Sequence, residues 1–143
     1  MDDWLYPLLR SAHYTLLLGL FGITAFRCIG LRETLAQQPQ CKDNGALALA
    51  AVVAPVLTIT LMFLSIAAMM AQPVWQLEWT TIEAMVMSTS IGWAFAVRLV
   101  LLLAAAILMV FGRTSSAVLV ATLLFGLALT TLAWNGHAAA TEG

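Results

Sequence analysis

The chain has 143 residues, of which 62% are hydrophobic and 9% charged, with a formal net charge of −1. A soluble domain carries about 25% charged residues, so this composition excludes a soluble enzyme and a disordered chain. The sequence also lacks the basic tract that would indicate binding to nucleic acid. Two cysteines are too few for a disulfide framework or a four-cysteine zinc site. The sequence therefore predicts a small protein that crosses a membrane several times.

Four apolar stretches are long enough to cross a bilayer as helices, which takes about 20 residues each. They cover approximately residues 7–31, 45–71, 92–111 and 116–134. The second contains Pro55, which a membrane helix tolerates, and the third contains a single charge, Arg98. We expect one domain, residues 1–143, folded as an all-α antiparallel bundle of four transmembrane helices with both termini on one side.

The segment between the second and third stretches, residues 72–90, differs in composition. It contains Trp75 and Trp79, and tryptophan favours the headgroup level of a membrane. Apolar residues follow at helical spacing from Ile82 onward. This pattern predicts a loop followed by a short interfacial helix.

Most positive charges fall in the loops on one side of the predicted bundle. Arg27, Arg32 and Lys42 lie between the first and second helices and Arg113 lies between the third and fourth, whereas the other side has only Arg10 near its boundary. Lys and Arg favour cytoplasmic loops. We therefore expect a bacterial inner-membrane protein with both termini and the long loop between the second and third helices in the periplasm.

Histidines and methionines concentrate on the predicted periplasmic side. His13 lies two turns into the first helix, His137 follows the fourth, and Met69 and Met85 lie at the end of the second helix and in the interfacial segment. Imidazole and thioether groups suit copper, and thioether favours Cu(I). These four residues form the predicted copper site, although apolar packing is the more common role for any single methionine.

Two ionisable side chains inside predicted helices have alternative interpretations. His13 shares a helix face with Arg10 and Tyr14, so a hydrogen-bonded interfacial cluster is the alternative to a metal ligand. Arg98 lies about 10 Å inside the third helix at 1.5 Å per residue, where a charge costs about 2.5–3.5 kcal/mol. It either extends to the headgroups or forms an intramembrane charge network with an acid such as Glu83.

Motifs of soluble catalysis are absent, so we expect a protein that binds copper without catalysing a reaction. The sequence has no glycine-rich phosphate loop, nucleophile elbow or HExxH segment. A different class, a b-type cytochrome, is the alternative, because two histidines can hold haem b between membrane helices. That alternative needs His13 and His137 on neighbouring helices, which an antiparallel bundle allows.

Three segments resemble the bacterial copper resistance protein D family. They are residues 10–22, residues 89–99 and, most strongly, residues 132–138, which are similar to the family's Trp-x-Gly-His-Ala segment. The resemblance implies an inner-membrane protein that moves copper inward from the periplasm, often beside a small periplasmic copper-binding protein. It implies a role for His137 first and for Arg98 next, whereas His13 departs from the family's usual apolar residue.

The length of the chain also differs from the family pattern. Members usually continue into several further helices after the Gly-His-Ala segment, whereas this sequence ends at Gly143. The resemblance therefore implies either the N-terminal half of a longer transporter or a short relative. A second membrane half or a second copy of the chain is an expected partner.

Overall fold

The structure, a computed structural model, describes residues 4–30, 45–112 and 114–138, with side chains described up to Ala133. This part of the chain forms α-helices and one short 3-10 turn, Val74–Gln76, and contains no strand. The helices are α1 (Leu5–Gly30), α2 (Gly45–Met69), α3 (Trp79–Ser88), α4 (Ser90–Phe111) and α5 (Ser115–Ala138). The all-α prediction and the short helix between the second and third spans are confirmed.

Four of these helices, α1, α2, α4 and α5, are long and apolar enough to cross a membrane. Helix α1 begins two residues before the predicted span, because Pro7 in its first turn is compatible with a helix start. Helix α5 continues to Ala138, four residues beyond the predicted span. Hydropathy marks where a helix leaves the bilayer, which need not be where the helix ends. The chain is a multi-pass membrane protein.

The four long helices pack in a ring. Helix α1 contacts α2 and α5, and α4 contacts the same two helices. The interface between α4 and α5 is the most extensive, and these two helices carry the fully buried Ala105, Ala121 and Ala128. Small residues allow membrane helices to approach closely, and larger apolar side chains cover the outside of the ring. The first and fourth spans are therefore neighbours.

One end of the bundle carries α3, the start of α1 and the end of α5, and is named the α3 end. The α4 helix starts here, where the Thr89 side chain caps it by accepting a hydrogen bond from the Gly92 backbone N–H at 3.0 Å. A Cβ atom on Gly92 would lie 2.5 Å from the Val86 Cα. Glycine at this position therefore allows α3 to lie directly against α4.

Candidate functional site

Three methionine side chains line one small cavity at the α3 end, named the methionine cavity. Met62 and Met69 belong to α2, and Met85 belongs to α3. The cavity has a volume of about 10 Å³, close to the smallest space that holds one water molecule. The remaining lining is mainly apolar and includes Phe95. Three thioether side chains thus border a space of atomic size.

The sequence places these methionines together through helix geometry and one close helix contact. Met62 and Met69 are seven residues apart, which puts them on the same face of α2 two turns apart. Met85 reaches the same cavity because α3 lies against the start of α4 at Gly92. The predicted ligands Met69 and Met85 are therefore brought together. Met62 was not among the predicted ligands, although its spacing from Met69 was a usable signal.

We expect Gly92→Ala to open the methionine cavity by pushing α3 away from α4. The added methyl group would overlap the Val86 backbone, and the resulting shift should make Met85 more exposed. Peroxide oxidation of Met85, followed by mass spectrometry, measures this exposure. Gly22→Ala is the matched control, because a Cβ atom there meets nothing within 4 Å. Equal oxidation of Met85 in both variants would contradict the proposed role of Gly92.

His13 lies in the core of the bundle and is fully buried. Its Nε2 atom is 3.3 Å from the Thr58 hydroxyl. That hydroxyl donates its one hydrogen to the Ala54 carbonyl at 3.0 Å, so it accepts a hydrogen bond from Nε2–H. The Nδ1 atom is buried without a hydrogen-bond partner in the described part of the chain. A neutral His13 thus keeps an unused lone pair inside the bundle.

The interfacial cluster suggested for His13 is formed instead by its two neighbours. Arg10 Nε donates a hydrogen bond to the Tyr14 hydroxyl at 2.8 Å, and the guanidinium lies 5.4 Å from the centre of the Tyr14 ring. Arg10 is exposed, whereas His13 is buried against α2. The ring centres of His13 and Tyr14 lie 6.4 Å apart, but the described hydrogen bond of His13 is with Thr58 on α2.

Arg98 is buried inside the bundle and is not exposed on its outer surface. Only 2% of its surface is exposed. Its Nε atom donates to the Thr131 hydroxyl at 2.8 Å, and Nη2 donates to the Thr131 carbonyl at 3.0 Å. The guanidinium also lies 5.1 Å from the centre of the Phe95 ring. These contacts join α4 to α5 at the level of the core.

Glu83, the acid predicted to pair with Arg98, is not among its described contacts. Glu83 is exposed on α3, and the described contacts of the Arg98 guanidinium are with Thr131 and Phe95. A hydroxyl and a carbonyl of a neighbouring helix satisfy two donors of the arginine without a second buried charge. No signal in the sequence distinguished Thr131 from the other threonines of α5.

His137 lies in the last turn of α5, at the α3 end. The sequence predicted a position just beyond the helix. The His137 side chain lies outside the described residues. His13 does not line the methionine cavity. Within the described ranges, no three His, Cys, Asp or Glu side chains are grouped to hold a metal ion. The three methionines are thus the potential soft-metal ligands that the described part of the structure brings together.

The fold, the buried His13 and Arg98 and the methionine cavity define a class of protein. It is a multi-pass membrane protein with potential soft-metal ligands at one end of a four-helix bundle. Residues 1–143 match the family model described as Copper resistance protein D-like, N-terminal domain. The chain belongs to this family, as the sequence resemblance predicted.

One relative is the Copper resistance protein D of Pseudomonas syringae pv. tomato. It is 32% identical over 146 residues, an alignment that covers 100% of this chain and 47% of the relative. The chain thus spans about half the length of the curated relative that it matches. No solved structure matches this chain.

Proposed function

We propose that this chain takes part in copper resistance or homeostasis by accepting copper at the α3 end of the bundle. The observation that carries this proposal is the cavity bordered by Met62, Met69 and Met85. Thioether ligands are soft and select Cu(I) over harder divalent ions. The family supports copper as the cargo. The chain acts in this proposal by binding and transfer, without catalysing a reaction.

The α3 end faces the periplasm in this proposal, and the membrane is the bacterial inner membrane. Arg27 lies in the last turn of α1, at the opposite end, and in the sequence Arg32 and Lys42 lie between α1 and α2 and Arg113 between α4 and α5. Positive charges favour cytoplasmic loops. Trp75 and Trp79 are 80% and 73% exposed at the α3 end. Their placement supports contact of this end with the headgroup region.

Labelling of introduced cysteines tests this orientation. In a chain whose two native cysteines are replaced by serine, Gln76→Cys should react with an impermeant thiol reagent in intact cells. Thr114→Cys should react only after the membrane is opened. Both positions are exposed, but they lie at opposite ends of the bundle. The reverse labelling pattern would overturn the orientation.

His137 and His13 have different roles in the proposed path. His137 is at the α3 end, so we assign it to the capture of copper together with Met69, which is 50% exposed. His13 lies deeper, and its free Nδ1 lone pair is a nitrogen ligand for copper that has passed Met69 and Met85. An imidazole must be neutral to bind a metal.

The affinity for Cu(I) is expected to fall about tenfold between pH 7.5 and pH 5.5. An unperturbed imidazole takes up a proton near pH 6.5, and the protonated ring cannot coordinate, whereas thioethers do not titrate. The expected loss should disappear in His137→Ala, while His13→Ala should lower the affinity less. Competition with a Cu(I) chelator at both pH values measures the effect. An affinity that is unchanged by acidification would remove His137 from the proposed site.

The full activity of such a protein requires partners in this proposal. The aligned relative is about twice as long, so a second membrane half, or a second copy of this chain, would continue the path through the bilayer. A small periplasmic copper-binding protein would deliver the metal to the α3 end. The exposed Trp75 and Met87 lie on the surface that such a donor would approach.

Metal analysis and absorbance of the same purified sample test the proposal. We expect one copper per chain after loading with Cu(I) under reducing conditions, and no Soret band. A Soret band with stoichiometric haem would instead support the cytochrome alternative, in which His13 and His137 on the neighbouring α1 and α5 hold haem b. Protein that binds neither copper nor haem would contradict both functions.

A further inference from the structure

A second and larger cavity opens at the α3 end between α1, α2 and α4, and is named the arginine cavity. Its volume is about 260 Å³, several times the roughly 30 Å³ that one water molecule occupies in the liquid. Its polar lining consists of Tyr6, Arg10, Tyr14, Ser65 and Arg98. None of the proposed copper-binding steps uses the two arginines.

The described charges around the arginine cavity are of one sign. Among the residues that the structure describes, two guanidinium groups line it and no carboxylate does. In the described ranges the carboxylates are Glu78 and Glu83, and both are exposed on the segment that contains α3. Arg98 is almost completely buried, and a charge at membrane depth is costly unless it has a partner or access to water. The cavity therefore favours a negatively charged occupant.

Both arginines keep hydrogen-bond donors that have no partner among the described residues. Arg98 uses Nε and Nη2 on Thr131, and no described hydrogen bond engages its Nη1. Arg10 uses Nε on Tyr14, and no described hydrogen bond engages its two terminal nitrogens. The Tyr6 hydroxyl lies 3.1 Å from the Ser65 hydroxyl. Guanidinium groups with free N–H pairs match the oxygens of phosphate groups.

We propose that the arginine cavity binds one phosphate group between Arg10 and Arg98. The position supports this ligand, because the cavity opens at the end of the bundle where Trp4, Trp75 and Trp79 are strongly exposed, as expected at the level of lipid headgroups. The phosphate belongs either to an acidic lipid headgroup or to a free anion. This inference goes beyond copper binding, since it assigns an anionic ligand to two arginines that none of the copper-binding steps uses.

Binding of two probes to the full chain tests this proposal without copper. The chain is purified in a phosphate-free maltoside detergent, and binding of labelled inorganic phosphate is measured by equilibrium dialysis, with and without added phosphatidylglycerol. We expect saturable binding of one phosphate group per chain. Displacement of phosphate by phosphatidylglycerol identifies a lipid headgroup as the ligand, and undisturbed phosphate binding identifies a free anion.

Variants assign the binding to this cavity. Arg10→Gln should weaken binding of the bound probe at least about tenfold, as expected for the loss of charge-assisted hydrogen bonds, and Arg10 is exposed enough for the variant to fold. Arg113→Gln, which alters a cation between α4 and α5, is the matched control and should bind normally. The proposal is overturned if neither probe binds saturably, or if Arg10→Gln and Arg113→Gln bind equally.

Discussion

Replacement of Met62, Met69 and Met85 together by leucine is expected to lower the affinity for Cu(I) by about a hundredfold or more, equal to roughly 2.8 kcal/mol. The three side chains border one cavity, so the triple variant removes the soft ligands that select Cu(I). Leucine and methionine have similar volumes, and such exchanges usually cost less than about 1.5 kcal/mol of stability. Competition with a Cu(I) chelator measures the loss in folded protein.

The control for this variant replaces an equal number of methionines outside the cavity. Met70, Met87 and Met109 do not line it, and their joint replacement by leucine should leave Cu(I) affinity within about a factor of three of the parent. The variant altered at Met62, Met69 and Met85 should bind Cu(I) weakly even at pH 7.5, where imidazole is neutral. Equal affinities in the two triple variants would show that the cavity does not hold the metal.

Thr131→Val is expected to destabilise the bundle by about 1.5–3 kcal/mol, the usual range for a hydrogen bond to a charged group. Valine has nearly the shape of threonine but cannot accept the hydrogen bond that Arg98 Nε donates to the hydroxyl. The buried guanidinium then keeps its hydrogen bond to the backbone carbonyl of residue 131 but loses the one to the side chain. The free energy of unfolding in mixed micelles measures the change.

The neighbouring threonine provides a close control. Thr130 is exposed, and its hydroxyl donates to the Leu127 carbonyl within the same helix. Thr130→Val should therefore change the free energy of unfolding by less than about 0.5 kcal/mol, as surface substitutions usually do. Similar destabilisation by both variants would mean that the Arg98 contact contributes little to the fold.

Hydropathy alone predicted the fold class and the four spans, because a membrane helix must be long and apolar wherever it packs. The short helix α3 was also predictable, since the tryptophans and the apolar residues from Ile82 onward have the composition of an interfacial segment. The bounds were less accurate at the end of α5, where Asn135 and Gly136 lower the hydropathy without ending the helix. The family was predictable from the segment containing His137.

The partners inside the bundle could not be predicted, because they depend on which helix faces meet. Spacing placed His13 on one face with Arg10 and Tyr14, but the approach of α2 gives His13 its hydrogen-bond partner, Thr58. Arg98 suggested a carboxylate partner on grounds of charge, yet a threonine of α5 satisfies two of its donors. The partners of His13 and Arg98 are set by tertiary packing, which the spacing of residues along one helix does not reveal.

X-ray absorption at the copper edge of the Cu(I)-loaded chain tests the central claim most directly, because it identifies the atoms bound to the metal. We expect sulfur neighbours in the parent protein, and we expect them to disappear from the variant in which Met62, Met69 and Met85 are leucine, while the variant altered at Met70, Met87 and Met109 keeps them. Copper surrounded only by nitrogen and oxygen in the parent protein would contradict the assignment of the methionine cavity as the copper site.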